Sequence, residues 1–355
     1  MPLKKARIKD IAARAGVSIG TVDRVLHERG EVAERTRERI LKIIKDLEYS
    51  PNYIARALKT KRKFHLVSLL PEPGDDNAFW IKHSLGFQKA MNELDPFPVR
   101  LSQVTYDMLN EKYFQKKAAN IIKMNPDGVI LAPIFKAEST EFCNNLTKRQ
   151  IPFVFLDGYI HEAPFLSYTG EDIFQSARVA GQLTDLVTPV NNDILIINIV
   201  RNLKNVQHLN IRTEGFLSYF SGSAKNKGTI IKLTISNPVA ETISKETGKA
   251  LKKNPGIRTI FVTSSKSYLI ADFIESQDIK SLNIIGYDLL ERNVEHLRSG
   301  TIKFLIGQRP EEQAYKGIRK LFDFLSINKI PAKMEYLPVD IVTSENVDFF
   351  LFSDY

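Results

Sequence analysis

Few side chains in this 355-residue sequence are spaced for covalent chemistry. It holds no G-x-S-x-G nucleophile turn, no H-E-x-x-H metal helix and no G-x-x-x-x-G-K-[ST] phosphate loop. Its six histidines, His27, His65, His83, His161, His208 and His296, are scattered without metal-ligand spacing. The single cysteine, Cys143, permits no intramolecular disulfide and no Cys-based metal site. Two carboxylates, Asp157 and Asp288, each follow a strand-like run, and paired carboxylates can hydrolyse glycosides. The remaining chemistry-bearing groups suit recognition: the five N–H donors of Arg212 match vicinal oxygens, and the Gln308 amide both donates and accepts. No catalytic residue, metal or cofactor is expected.

Such groups need elements to hold them, and the charge distribution shows two kinds. Residues 1–63 carry 17 Lys and Arg against 8 Asp and Glu, while the other 292 residues carry 33 of each. The whole net charge of +9 therefore sits in the first sixth of the chain. A basic module on a neutral body predicts a polyanion partner for the module and a different partner for the body. No run of 18 apolar residues and no N-terminal apolar stretch of signal length occurs, so a cytoplasmic protein without membrane contact is expected.

Within the basic module, Ile8, Ile11, Ala12 and Ala15 recur at helical spacing, and Gly16 suits the position after a helix end. Ser18 is a good N-cap for a second rhythm of Val22, Val25 and Leu26. A third helix is predicted over about 34–48, with Ile40, Ile43, Ile44 and Leu47 on its buried face. The tight Gly16-Val17-Ser18 turn between the first two is a helix-turn-helix pattern.

The segment from IKDIAARAGVS through TVDRVL and the TRERI helix start to YSPNYIARALKT resembles the headpiece of lac-repressor-type transcriptional regulators. That resemblance implies that the helix starting at Ser18 enters the major groove of double-stranded operator DNA. Ile19, Gly20 and Arg24 then fall on base-reading positions, and Ser18, Thr21 and Thr36 on phosphate contacts. Arginine pairs bidentately with guanine O6 and N7, which makes Arg24 the most informative. Gly20 brings no side chain to its position, and Asp23 replaces the usual Ser beside Arg24, with a role in orienting Arg24 as the favoured reading. Pro51 ends the third helix, and residues 51–63 read as a hinge, either a polar linker or a short helix that forms on DNA. By the resemblance Leu58 is the wedge that enters the minor groove.

From Phe64 strand-like and helix-like stretches alternate, which predicts parallel sheets covered on both faces. Strands are expected at 64–70, 98–104, 128–133, 152–156, 193–200, 229–235, 259–264 and 283–287, with nine helices between and after them. About 290 residues exceed one such sheet, so two α/β subdomains are expected. This order resembles the type I periplasmic-binding-protein architecture. The expected fold is thus an all-α helix-turn-helix headpiece (1–50), the hinge (51–63), and an α/β effector-binding and dimerisation domain (64–355) of two parallel-sheet subdomains. The first subdomain takes about 64–166 and 306–335, the second 167–305 and 336–355, with crossovers near 166, 306 and 335.

Ligands of open α/β sheets bind beyond the carboxyl ends of the strands. By the resemblance, Asn77, Phe79 and Trp80 match a sugar-contacting stretch, with Trp80 at the cleft mouth. The alternative is that both start a helix and pack in the core; Trp80 is favoured as a ligand contact, and Phe79 stands open between the two readings. Asp157, Arg212, Asp288 and Gln308 complete the implied effector site, and Ser264 and Ser265 stand where the family has Asn and Asp. The resemblance implies a homodimeric, non-enzymatic regulator whose operator affinity responds to a sugar-like small molecule. A corepressor such as a purine is the alternative ligand logic. A sugar-binding transport protein shares the body but has no use for residues 1–63.

Overall fold

The computed structural model describes residues 8–26, 30, 32–47, 62–200, 207–222 and 225–351, with the backbone alone for Lys45 and residues 75–77. Leu58 and hinge residues 51–61 lie outside the described residues. The chain divides into two compact units, Met1–Lys61 and Arg62–Tyr355.

The first unit packs three helices, α1 (Ile8–Ala15), α2 (Ile19–Leu26) and α3 (Glu34–Asp46), around Ile11, Ala12, Ala15, Val22, Val25, Ile40 and Ile43. The turn between α1 and α2 follows from two residues. Gly16 takes φ +63°, and its N–H bonds to Ala13 O at 3.2 Å while Val17 N–H bonds to Ala12 O at 3.0 Å. These are the paired bonds by which a left-handed residue closes a helix C-terminus. Ser18 Oγ then accepts from the Thr21 N–H at 3.1 Å and caps α2. Removing that cap costs about 1 kcal/mol in general.

The second unit holds two six-stranded sheets of matching order. The first runs β11-β5-β4-β3-β1-β2 and the second β12-β10-β9-β8-β6-β7. In the first sheet the strands are β1 (Phe64–Pro71), β2 (Val99–Tyr106), β3 (Gly128–Leu131), β4 (Phe153–Leu156), β5 (Ser167–Gly170) and β11 (Met334–Tyr336). In the second they are β6 (Asp193–Ile199), β7 (Ile230–Ile235), β8 (Ile257–Val262), β9 (Asn283–Tyr287), β10 (Ile302–Gly307) and β12 (Asp340–Val342). Every pair is parallel except β10 with β12. Central strands such as β3 and β4 are buried along their whole length, as continuous apolar runs covered by helices on both faces require.

Helices α4 (Ile81–Glu93), α5 (Glu111–Met124), α6 (Lys136–Lys148) and α12 (Pro310–Ile327) serve the first sheet. Helices α7 (Ile173–Val187), α8 (Gln207–Gly222), α9 (Ala240–Lys253), α10 (Ser267–Ser276) and α11 (Glu291–Arg298) serve the second, and α13 (Val347–Leu351) follows β12. Two glycines set the closest helix contacts. A Cβ on Gly86 would lie 2.0 Å from the Glu311 carbonyl oxygen, and one on Gly215 would lie 2.3 Å from that of Phe174. Both clashes are with backbone, so α4 meets α12, and α7 meets α8, only because those positions lack a side chain.

The first crossover differs from the expected position. The chain leaves the first subdomain after Gly170 rather than near 166, because β5 still pairs with β4 and β11. It returns after Gly307, with all of β10 in the second sheet, and leaves again after Tyr336, at the end of β11. The strands β5, β11 and β12 escape a reading by apolar runs: SYTG is polar in type yet fully buried, and β11 and β12 have three residues each, whereas β10, IKFLIG, is an apolar run absent from the expected set. Arg62, in the hinge, donates to Asp127 Oδ1 at 2.6 Å, which ties that end of the hinge to the body. Among the described residues no helix is long and apolar enough to cross a membrane.

Candidate functional site

On the first unit, α2 presents Ile19 and Arg24 to solvent, Ile19 at 51% exposure. Arg24 Nε donates to the Gly20 carbonyl at 3.3 Å, and the Arg24 side chain is exposed. Gly20 meets only Ser18 Oγ, at 3.7 Å from a Cβ built on it, so its surroundings are open. Ser18 Oγ and Thr21 Oγ1 lie 3.0 Å apart at the N-terminus of α2, and Thr36 sits in the first turn of α3. Helix N-termini with hydroxyls suit phosphate oxygens.

On the second unit, one cavity of about 490 Å³ opens at the carboxyl ends of strands from both sheets. Phe79, Trp80, Asp157, Arg212, Ser264, Asp288 and Gln308 all line it. Ser265 lines it too, while the side chain of Asn77 lies outside the described residues. The matching sheet orders explain part of this convergence. Asp157 directly follows β4 and Asp288 directly follows β9, and these strands hold the same place in their sheets. Both aspartates adopt left-handed backbone, φ 65° and 69°, a region that Asp tolerates better than most residues and that turns them across the strand ends.

Buried amides hold these loops. The Gln313 side chain accepts from Asp157 N–H at 2.9 Å and donates to Gln308 O at 2.9 Å, tying the end of β4 to the second crossover. Asn293 Nδ2 donates to the carbonyls of Ser265, Tyr287 and Asp288 at 2.9–3.0 Å, joining the two loops after β8 and β9. Gln308 Nε2 reaches both carboxylate oxygens of Asp288, at 2.9 and 3.0 Å.

The electrostatic centre is an ion pair that the sequence reading missed. Arg212 Nη2 donates to Glu171 Oε1, with both residues 5% exposed or less. Arg212 Nη1 donates to the Thr263 carbonyl at 2.8 Å, and its guanidinium carbon lies 3.6 Å from the centre of the Tyr287 ring. Burial opposes the arginine charge, but Glu171, Tyr287 and Asp288 outweigh it and raise the affinity of Arg212 for its proton. Burial pushes Asp157 up to about 6 and Asp288 up to about 7, against the pull of Arg212. His208, one helical turn before Arg212, is pushed down to about 3 by burial and by that same cation. Glu171 follows the polar strand β5, which carries no apolar run to announce it.

Trp80, expected at the cleft mouth, lines the cavity and is at the same time buried, with its ring stacked on His83 at 4.7 Å and 24°. Phe79 stands edge-on to both rings at 5.2 Å. Trp80 and His83 are three residues apart where helix begins, so they share a face. Both aromatics are therefore core and cleft wall at once.

Residues 67–329 match the periplasmic binding protein domain family, and residues 7–52 match the bacterial regulatory proteins of the lacI family. The chain belongs to the lacI family of regulators, with a periplasmic-binding-protein domain as its body. It is 35% identical over 146 residues to the HTH-type transcriptional regulator RegA of Clostridium saccharobutylicum, covering 41% of this chain and 42% of RegA. It is 27% identical over 286 residues to the ribose operon repressor of Lactococcus lactis subsp. lactis, covering 79% and 80% of the two chains. Across three curated relatives, RegA among them, the matched stretch spans 42–52% of their length, about half or less. A solved structure assigned to the LacI transcriptional regulators, from Bacteroides fragilis, superposes with a TM-score of 0.75 at 28% identity, over 81% of this chain and 99% of that one.

Proposed function

We propose that this protein binds operator DNA through its helix-turn-helix unit, as a homodimer, and that a small polyhydroxylated molecule in the cleft sets the operator affinity. One observation carries the reading. A single chain joins a basic helix-turn-helix unit, with Ile19 and Arg24 free to meet base edges, to a cleft in which seven of the eight candidate effector residues converge. Aromatic walls at Phe79 and Trp80 suit the C–H face of a sugar ring. Asp157 and Asp288 can accept from hydroxyls, and Gln308 can do both. The similarity to a ribose operon repressor supports a sugar or sugar derivative.

The three crossovers give such a ligand its leverage. Contacts from both subdomains favour the closed cleft, and closure turns one subdomain on the other about those strands. Arg309 stiffens the second crossover by bonding Asp340 at 2.6 and 2.9 Å, next to the third. The dimer places two headpieces on a near-palindromic site, where Leu58 supplies the minor-groove wedge.

Arg24 provides the test of the DNA face. Arg24→Ala weakens specific binding by about 1–3 kcal/mol and relaxes the preference at one base pair per half-site. Selection from random DNA with the two proteins checks it. An unchanged base preference would move readout to another residue.

A further inference from the structure

We infer that the cleft excludes anions, so that the effector is an uncharged or ammonium-bearing polyol and not a sugar acid or sugar phosphate, with Glu171 as the residue that sets this selectivity. The inference rests on the effector reading above and deepens it. An arginine in a sugar cleft ordinarily invites a carboxylate, because its terminal nitrogens form a fork. Here the fork is already used: Nη2 on Glu171, Nη1 on the Thr263 carbonyl, and the flat face on Tyr287. The pair retains one buried donor without a partner, Arg212 Nε, and one buried acceptor, Glu171 Oε2. A hydroxyl, donor and acceptor at once, can answer either atom. A carboxylate or phosphate oxygen can only accept, so it satisfies Nε and opposes Oε2.

The rest of the lining points the same way. Among the described residues, Glu72, Asp107, Asp157, Glu171 and Asp288 line the cavity with the cations Arg212 and Lys266. His208 adds no cation, since burial and, after it, Arg212 keep it neutral. An incoming anion therefore meets a surplus of carboxylates in a partly desolvated space, where charge interactions are stronger than in water.

Matched sugars test this on the full-length protein: D-glucose with D-glucuronate, D-galactose with D-galacturonate, and D-ribose with D-ribonate. The readouts are the emission of Trp80, the single tryptophan, and the melting temperature. Sulfate serves as an anion probe that needs no knowledge of the effector. The wild-type protein is expected to bind any sugar of the set at least about tenfold more tightly than its acid, and to ignore sulfate. Glu171→Gln keeps the volume and one acceptor but removes the carboxylate charge paired with Arg212. It is expected to respond to sulfate and to narrow the gap between sugar and acid. An acid that binds the wild type more tightly than its parent sugar overturns the inference. So does a sulfate response equal in the two proteins. The wild-type comparison stands even where the variant folds poorly. Silence of every sugar, with sulfate still separating the two proteins, counts against the sugar reading and leaves anion exclusion standing.

Discussion

Arg212→Ala lowers the stability of the 62–355 unit by about 3–5 kcal/mol and abolishes the response to effector. The size follows from what the substitution leaves behind. Glu171 is 4% exposed, and among the described residues its ion-pair partner is Arg212. Removing one member of a buried pair leaves the other as an uncompensated charge in a poor solvent, which costs far more than the pair itself contributes. The Thr263 carbonyl also loses its donor and the Tyr287 ring its cation. Thermal or urea unfolding followed by Trp80 emission measures the loss. The double variant Arg212→Met, Glu171→Gln removes both charges and recovers most of the stability, yet stays blind to effector. That pair of results separates folding from recognition. A single variant within about 1 kcal/mol of wild type would remove the ion pair from the centre of the site.

Asp288→Asn changes the pH dependence of stability and abolishes effector binding. Burial holds the Asp288 carboxyl at about 7 in the folded protein, far above its ordinary 3.8. The folded state therefore keeps a proton that the unfolded state has released, and the contribution of Asp288 to stability falls as pH rises from about 4 to about 7. Above that, the carboxylate is a standing penalty. Asparagine cannot ionise, so the variant is expected to melt several degrees higher than wild type at pH 8 and at the same temperature at pH 4. Asp157, at about 6, acts with the same sign in both proteins. His83 and His208 act oppositely: burial holds both near 3, so their contribution is lost as pH falls below about 6.5. In the wild type the two aspartates offset the two histidines between pH 4 and 6. In the variant the histidines prevail, and stability falls more steeply on the acid side. Parallel melting curves across pH 4–8 for the two proteins would contradict the burial of this carboxylate.

The headpiece was legible because its signals are local. Apolar spacing, Gly16 after a helix and Ser18 before one each act within four residues, and the structure shows both turn bonds. The central strands were legible as apolar runs, and the residues following them define the cleft by topology alone. What stayed hidden depends on distant partners. The strand Ser167–Gly170 is polar in composition and exists because it pairs with Phe153–Leu156 and Met334–Tyr336. With that strand unseen, Glu171 looked like an ordinary loop acid, and Arg212 seemed available to a ligand. Gln313 and Asn293 gave no signal, since a buried amide bridging two loops resembles any polar helix residue until the fold is closed.

The central claim is that occupancy of the cleft changes affinity for operator DNA. The direct measurement is a binding titration of full-length protein on its selected operator, with and without a sugar that shifts Trp80 emission. The account predicts a change of about 5–150-fold, in line with coupling energies of about 1–3 kcal/mol. The change is lost in the Arg212→Met, Glu171→Gln variant, which still binds operator. Equal operator affinity with the cleft empty and saturated would contradict the account, because cleft and headpiece would then be separate devices on one chain.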